Sequence, residues 1–326
     1  MTDTLWYTRC PVPTASGLAH SLGWLGETAA GHGLGFGVLQ DAGPELAVRH
    51  FDHTLSGLVR EGGNVPALAA RAQGSPTRLI GLTWIDEAQA ILVGPESSLE
   101  LAGRRVGLPA WAQDRARSFP RAMALHGFAS ALRLSGLDLS DVRVVEIGVE
   151  PEPRGRGITW GVEALLRGEV DAIYVKGARA QELAREHGLR VAVDLDATEH
   201  KRHRVNNGTP RPITVHADLL ERRPEVVVDF LAQSLRAADW AAANLDGVRE
   251  VLQRETRSGP DGVVAAYGAE FHRDLHPSLS DERLELLDVQ KRFLYVHGFL
   301  AADFDLDSWV AREPLERARD QVAVAA

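Results

Sequence analysis

The chain has little cysteine and no surplus of positive charge. Cys10 is the one cysteine among 326 residues, so no internal disulfide can form, which excludes a small secreted domain held together by disulfides. The 36 Lys and Arg residues are outnumbered by 45 Asp and Glu, and the formal net charge is −9. Binding to nucleic acid needs a basic surface, so we expect no nucleic-acid partner.

Long apolar runs are missing as well. No run approaches the roughly 18 residues that a membrane helix requires, so we expect no membrane partner. The first ten residues, MTDTLWYTRC, contain no basic stretch followed by an apolar one, the pattern typical of a secretory signal. The predicted compartment is therefore the cytoplasm.

What the chain does have is an alternation of two patterns. Its length predicts two domains. Short runs rich in branched residues predict strands at 77–84, 88–93, 142–147, 170–175 and 189–193. Amphipathic runs between them predict helices at 63–73, 114–135, 158–167 and 178–187. This alternation predicts an α/β fold with a largely parallel sheet and helices on both faces.

The last third of the sequence is mostly helical. Helices are predicted at 222–244, 245–257 and 280–300, and in the last of these the residues at helical spacing are Leu286, Val289, Phe293, Val296 and Leu300. Two segments, 101–108 and 206–215, have the composition of crossings between domains. They allow a second lobe at 102–208, inserted into a first lobe of 1–101 plus 209–326. Two consecutive domains are the alternative.

Cys10 lies in a position suited to chemistry. LWYTR, residues 5–9, can form a first strand, and Pro13 or Thr14 can open a helix. Cys10 would then lie at the carboxyl end of a strand, the edge at which open α/β sheets bind ligands. A helix N-terminus and a nearby cation both favour the thiolate. The alternative is a small, buried, apolar cysteine.

A second candidate segment is 50–66, HFDHTLSGLVREGGNVP. Arg60 is followed by a Gly-Gly turn and then by a predicted helix, a pattern that can hold a two-oxygen anion between backbone N–H groups and a guanidinium. A surface arginine beside an ordinary turn is the alternative. His50 and His53 are three residues apart, but there is no HExxH motif and no Cys/His cluster at zinc spacing, so we predict no metal.

Taken together, these segments resemble the aromatic sulfinate desulfinases. The family's cysteine lies in a Cys-Pro-Val-Pro stretch, found here at residues 10–13, and its active-site histidine precedes its arginine by ten residues, as His50 precedes Arg60. A glycine that contacts the sulfinate follows, here Gly63. Further similar segments occur in the same order along nearly the whole chain: 77–81, 101–105, 168–172, 223–224 and 267–271.

The resemblance implies a fold, a reaction and a site. The fold would be the two-lobed, type II periplasmic-binding-protein-like fold, with a ligand cleft between the lobes. The reaction would be hydrolysis of the C–S bond of an aromatic sulfinate, such as 2'-hydroxybiphenyl-2-sulfinate, with release of sulfite. Cys10 and His50 would be catalytic, and substrate would be bound by Arg60 and Gly63, with Tyr174 and Asn207 at the edge of the pocket. No cofactor is implied, and we expect a monomer.

Other functions remain open on the same fold. A non-catalytic substrate-binding protein of an ABC transporter, specific for an organosulfur or related small anion, would tolerate loss of the cysteine but predicts a signal peptide. The pyrimidine synthase of thiamin biosynthesis shares the fold but carries a cysteine-rich motif that is absent here. A desulfinase-like enzyme acting on another sulfinate or on a carboxylate is a third alternative.

Overall fold

A computed structural model describes residues 4–8, 11–148 and 160–325 of the chain. The structure separates into two compact units. The first unit comprises Met1–Ile85, Gly208–Val251 and Glu270–Ala326, and the second comprises Asp86–Asn207 and Leu252–Ala269. The predicted second lobe at 102–208, inserted into a first lobe of 1–101 plus 209–326, stays a prediction.

Ten strands form among the described residues. They are β1 (Thr4–Thr8), β2 (Gly35–Val38), β3 (Leu58–Glu61), β4 (Thr77–Thr83), β5 (Gln89–Val93), β6 (Arg105–Pro109), β7 (Arg143–Ile147), β8 (Ala172–Lys176), β9 (Arg190–Asp194) and β10 (Arg211–His216). The five strands predicted between residues 77 and 193 are all confirmed, with ends that differ by one or two residues.

Helices connect and cover the strands. The α-helices of the described residues are α1 (Ala15–Ser21), α2 (Trp24–Gly31), α3 (Pro44–Ala47), α4 (Arg49–Asp52), α5 (Asn64–Ala72), α6 (Phe119–Leu134), α7 (Val162–Leu166), α8 (Ala178–Glu186), α9 (Ala217–Arg222), α10 (Pro224–Ala243), α11 (Leu245–Thr256), α12 (Pro260–Ala266), α13 (Asp281–Val296) and α14 (Glu313–Ala325). Of the two predicted starting positions for the first helix, Pro13 and Thr14, the structure selects Thr14, whose Oγ1 caps α1 by accepting from the Gly17 N–H at 3.0 Å. No described helix combines the length and the hydrophobicity needed to cross a bilayer.

Each unit contains one five-stranded mixed sheet. The strand order is β2-β1-β3-β10-β4 in the first unit and β7-β6-β8-β5-β9 in the second. β1 is parallel to both of its neighbours, and so is β6. In contrast, β10 and β5 are antiparallel to both of theirs. In each sheet the other four strands therefore run in the same direction, so each sheet is largely parallel, as predicted, with one reversed strand.

The direction of β5 and β10 has a topological reason. Each is the first strand that the chain forms after it passes from one unit to the other, at Asp86 and at Gly208. Two consecutive strands that lie side by side in one sheet can be parallel only if a crossover connection joins them. A strand that arrives from the other unit has no such connection, so it is free to enter antiparallel.

Candidate functional site

Strand β3 carries Arg60 through the middle of the first unit's sheet. All four residues of β3 are buried, and Arg60 itself is 0% exposed. In the register of the sheet, Arg60 pairs with Thr8 at the end of β1 and with Thr214 of β10. A charged side chain is buried only when specific contacts compensate its lost hydration, so the surroundings of Arg60 identify what the site is built to do.

Hydrogen bonds to uncharged groups hold the Arg60 guanidinium. Nε donates to the carbonyl of His50 at 3.1 Å, and Nη2 donates to the carbonyl of Gly63 at 3.1 Å. Nη2 also lies 3.2 Å from Nε2 of His50. These partners fix the plane of the guanidinium without neutralising its charge, so these contacts leave Arg60 able to attract an anion.

The contact between Arg60 and His50 also defines the state of the imidazole. A guanidinium has donors only, so His50 must accept at Nε2. The ring of His50 is then neutral, and its proton is on Nδ1. His50 is positioned by the one-turn helix α4. Within this helix Arg49 forms an ion pair with Asp52 at 2.8 Å, and Ser75 Oγ donates a hydrogen bond to the Asp52 carbonyl at 2.7 Å.

Gly62 lets the guanidinium pack directly against the main chain. A Cβ added at Gly62 would lie 2.9 Å from Cζ and from Nη2 of Arg60, closer than real Cβ contacts. Its neighbour Gly63 is the N-cap of α5. The sequence predicted a turn at the two glycines, but it did not reveal that Gly62 makes room for Arg60.

Cys10 lies outside the described residues. The strand that precedes it is tied to β3 through Glu61, which is fully buried beside Arg60. Thr8 Oγ1 donates to the Glu61 carbonyl at 3.1 Å, Thr83 Oγ1 donates to the carboxyl Oε1 at 2.8 Å, and Ser16 Oγ donates to Oε2. Burial raises the pKa of Glu61, and the hydrogen bonds from Ser16 and Thr83 act in the opposite direction.

His53 is a residue of this site to which sequence reasoning assigned no role. It is 1% exposed, and it follows α4 in the left-handed conformation, with φ 56°. Neither of its ring nitrogens has a hydrogen-bond partner among the described residues. Burial lowers the pKa of His53 well below its usual value, the positive charge of Arg60 lowers it further, and a contact with the His50 backbone acts in the opposite direction. The signal for it in the sequence was the spacing of three from His50.

The structure thus brings together His50, Arg60 and Gly63, all in the first unit. Tyr174 and Asn207 belong to the second unit. Tyr174 is 2% exposed; its hydroxyl donates to Gln89 Oε1 at 2.8 Å and accepts from Asn206 Nδ2 at 3.0 Å. The backbone N–H of Asn207 donates to the side chain of Asn206 at 2.7 Å. Their role in lining a pocket stays a prediction.

The second unit also contains a buried ionisable cluster near Tyr174. Lys176 Nζ lies 3.5 Å from Glu87 Oε2, and both side chains are less than a tenth exposed. Asp196 accepts the Gln89 N–H at 2.7 Å through Oδ2. Burial raises the pKa of Asp196 to about 7, and Lys176 acts in the opposite direction. This carboxyl therefore titrates near neutral pH.

No metal centre is formed by the described residues. In the ranges 4–8, 11–148 and 160–325, no group of three or more His, Cys, Asp or Glu side chains is arranged to hold an ion. The expectation that the protein needs no metal and no organic cofactor stays a prediction.

Comparison with known proteins gives relatives but no family model. No protein-family model matches the chain. The chain is 29% identical to 2'-hydroxybiphenyl-2-sulfinate desulfinase of Rhodococcus erythropolis, in an alignment that covers 95% of this chain and 92% of the relative. The same protein of Rhodococcus qingshengii is also 29% identical, over the same shares.

Solved structures agree with these relatives. A cysteine-to-serine variant of the enzyme DSZB in complex with biphenyl-2-sulfinic acid has a TM-score of 0.78 and 25% identity, covering 98% of this chain and all of that one. The periplasmic aliphatic sulphonate-binding protein SsuA of Escherichia coli has a TM-score of 0.69 at 14% identity, over 96% of this chain and 93% of its own, and shows the fold alone. The predicted periplasmic-binding-protein-like fold is therefore confirmed. Over nearly its whole length, the chain resembles the sulfinate desulfinases, as its sequence motifs predicted.

Proposed function

We propose that this protein is a desulfinase that hydrolyses the C–S bond of an aromatic sulfinate and releases sulfite. The overall reaction is ArSO2⁻ + H2O → ArH + HSO3⁻, in which the ring carbon gains a proton and sulfur gains the oxygen of water. The observation that carries the proposal is the buried guanidinium of Arg60, held by His50 and Gly63 in a chain similar to the desulfinase over 95% of its length.

Arg60 would bind the sulfinate. Its guanidinium is planar and is fixed by uncharged partners, so it can offer charge-assisted hydrogen bonds to the sulfinate oxygens. The N–H of Gly63, at the start of α5, would add a backbone donor. Orientation of this kind can contribute several kcal/mol to catalysis, roughly 7 or more in favourable cases.

Cys10 would act on the C–S bond. It is two residues after Thr8, the register partner of Arg60. His50 would orient the thiol and stabilise charge. The DSZB complex with biphenyl-2-sulfinic acid contains a cysteine-to-serine variant, which is consistent with a cysteine that acts on the ligand.

Two routes are compatible with these residues. In the first, the Cys10 thiol protonates the ring carbon, the C–S bond breaks, and sulfur dioxide leaves and hydrates to bisulfite; the proton released by hydration returns to the thiolate. In the second, the thiolate attacks sulfur and the C–S bond breaks; the aryl group leaves with the proton that the thiol gave to the site, and Cys–S–SO2⁻ remains. Water then attacks its sulfinate sulfur, which releases bisulfite and restores the thiol.

The experiment that tests the proposal measures sulfite release from a panel of aromatic and alkyl sulfinates. We expect the wild-type protein to release sulfite from an aryl sulfinate such as 2'-hydroxybiphenyl-2-sulfinate, and Cys10→Ser to bind the same sulfinate without releasing it. If Cys10→Ser retained more than about a tenth of the activity, the assignment of Cys10 would be wrong.

The same assay separates the enzyme from a binding protein. A substrate-binding protein would hold the sulfinate and release none of it as sulfite, and Cys10→Ser would change nothing. The proposal also includes a cytoplasmic location and action as a monomer.

A further inference from the structure

The unusual feature of His53 is that its polar ring is buried without being used inside the protein. A neutral imidazole has one N–H donor and one acceptor nitrogen. His53 is 1% exposed, and neither nitrogen finds a partner among the described residues. A buried polar group left unpaired is destabilising, so most such groups in proteins have a hydrogen-bond partner.

The position of His53 indicates what it binds. It follows α4 three residues after His50, and its backbone N–H closes the helix by donating to the Arg49 carbonyl at 3.0 Å. His50 in turn contacts Arg60. The positive charge of Arg60 lowers the pKa of His53, in agreement with this proximity. The unused ring is therefore beside the cation of the site.

The backbone at this position does not require histidine. His53 has φ 56° and ψ 28°, a left-handed conformation in which Asn, Asp and Gly are at least as favourable. An apolar ring would fill the same space without leaving two nitrogens unpaired. Turn geometry and packing thus do not account for the imidazole, whereas a ligand with acceptor oxygens does.

We propose that His53 is a substrate-binding residue whose imidazole N–H donates a hydrogen bond to an oxygen of the anionic group held by Arg60. This rests on the proposed function, since the anion is the sulfinate of the substrate. The sulfinate has acceptor oxygens and no donor, so it matches a ring that remains neutral and offers its N–H. Arg60 would supply the charge, and His53 would direct one of the two oxygens.

The test measures the dissociation constant of biphenyl-2-sulfinate by calorimetry, in a Cys10→Ser background that prevents turnover. His53→Phe keeps a ring but removes both nitrogens. His53→Asn and His53→Gln keep a donor, the first near the position of Nδ1 and the second near that of Nε2. The matched control is His272→Phe, because His272 is a second buried histidine of the same unit, 5% exposed, whose Nδ1 also lacks a partner among the described residues.

A hydrogen bond to a charged group is worth about 1.5–3 kcal/mol, so we expect His53→Phe to weaken binding about 10- to 100-fold. Either His53→Asn or His53→Gln should restore most of the affinity, and His272→Phe should leave it unchanged. A dissociation constant for His53→Phe within about twofold of the parent would overturn the proposal. If His53→Phe fails to fold, ¹⁵N spectra of the histidine rings decide: a His53 signal that does not shift when the sulfinate binds also overturns it.

One further variant separates this inference from the proposed function. If Arg60→Ala binds the sulfinate as tightly as the parent, the anion site itself is wrong and both proposals fail. If Arg60→Ala weakens binding and His53→Phe does not, only the role of His53 is wrong.

Discussion

Arg60 and His50 contact each other twice, once through the main chain and once through the side chain. Nε of Arg60 donates to the His50 carbonyl at 3.1 Å, and Nη2 lies 3.2 Å from His50 Nε2. One residue therefore fixes the guanidinium at two points. The contact explains why the spacing of ten residues between His50 and Arg60 matters. The segment between α4 and β3 must reverse the chain direction so that His50 contacts Arg60.

Replacing Arg60 by lysine should damage substrate binding while keeping the charge. An ammonium cannot make the planar set of bonds to His50 and Gly63 or offer a two-pronged contact to a sulfinate. We expect Arg60→Lys to lower kcat/KM at least about 100-fold, mainly through KM. The control is Arg78→Lys, because Arg78 also donates to two carbonyls, those of Ser308 and Val310, elsewhere in the same unit. Equal losses in both variants would contradict the account.

A methyl group at Gly62 should move the guanidinium. The added Cβ would lie 2.9 Å from Cζ of Arg60, so Arg60 or the main chain must shift. We expect Gly62→Ala to weaken sulfinate affinity about tenfold or more and to reduce the free energy of unfolding by about 1–3 kcal/mol. Gly43→Ala is the control, since nothing lies within 4 Å of its Cβ position and φ is −61°. Sulfinate affinity unchanged in Gly62→Ala would show that the close approach is unimportant.

His53 should make the protein less stable in acid. Its pKa is well below its usual value in the folded state, whereas in the unfolded chain it is about 6.5. Protons therefore bind the unfolded chain preferentially, and the contribution of His53 to stability is complete above about pH 6.5 and falls as the pH is lowered. The limiting slope is about 1.4 kcal/mol per pH unit.

Urea unfolding at pH 8 and pH 5.5 measures this effect. The loss of stability between the two values should be smaller in His53→Phe than in the wild type. Comparison of the two proteins cancels the contribution of the other histidines. Identical losses would mean that His53 does not resist protonation in the folded state.

Asp196 in the second unit should make the protein less stable as the pH rises, the opposite of the effect of His53. Burial raises its pKa to about 7, above the unfolded value of about 3.9, so the folded state holds the proton more tightly. Its contribution to stability is complete below about pH 4 and is lost as the pH rises through 7. Asp196→Asn removes the titration, so the variant should gain stability relative to the wild type on going from pH 5 to pH 8, by roughly 1–3 kcal/mol. An equal difference in stability between Asp196→Asn and the wild type at pH 5 and at pH 8 would contradict the raised pKa of Asp196.

Much of the local structure follows from the sequence, but the face of α13 and the directions of β5 and β10 do not. Thr77–Thr83 and Ala178–Glu186 match predictions made from periodicity. For α13, however, Val296 was placed on the apolar face and is 77% exposed, while Leu287 and Leu294 are fully buried. Helical spacing identifies the buried face only when the apolar residues lie on one side of the helix. In α13 apolar residues also occupy neighbouring positions, so the spacing alone does not select the buried face. The directions of β5 and β10 depend on passage between units, which no local pattern records.

The site was predictable to a similar extent. The resemblance to the desulfinases placed His50, Arg60 and Gly63 in one site, and these three residues do meet. Binding of an anion there stays a prediction. The part that sequence could not give was the packing around Arg60. Whether Gly62 contacts a guanidinium, or whether the ring of His53 is left unpaired, depends on how the chain packs around Arg60 in three dimensions and not on residue type.

The central claim is tested most directly by the products formed from an aryl sulfinate. Sulfite and the free arene should be quantified together over many turnovers of 2'-hydroxybiphenyl-2-sulfinate by the wild-type protein. The account predicts that one sulfite and one arene appear for each sulfinate consumed, well in excess of the protein. Recovery of intact sulfinate, bound to the protein but without sulfite, would contradict it.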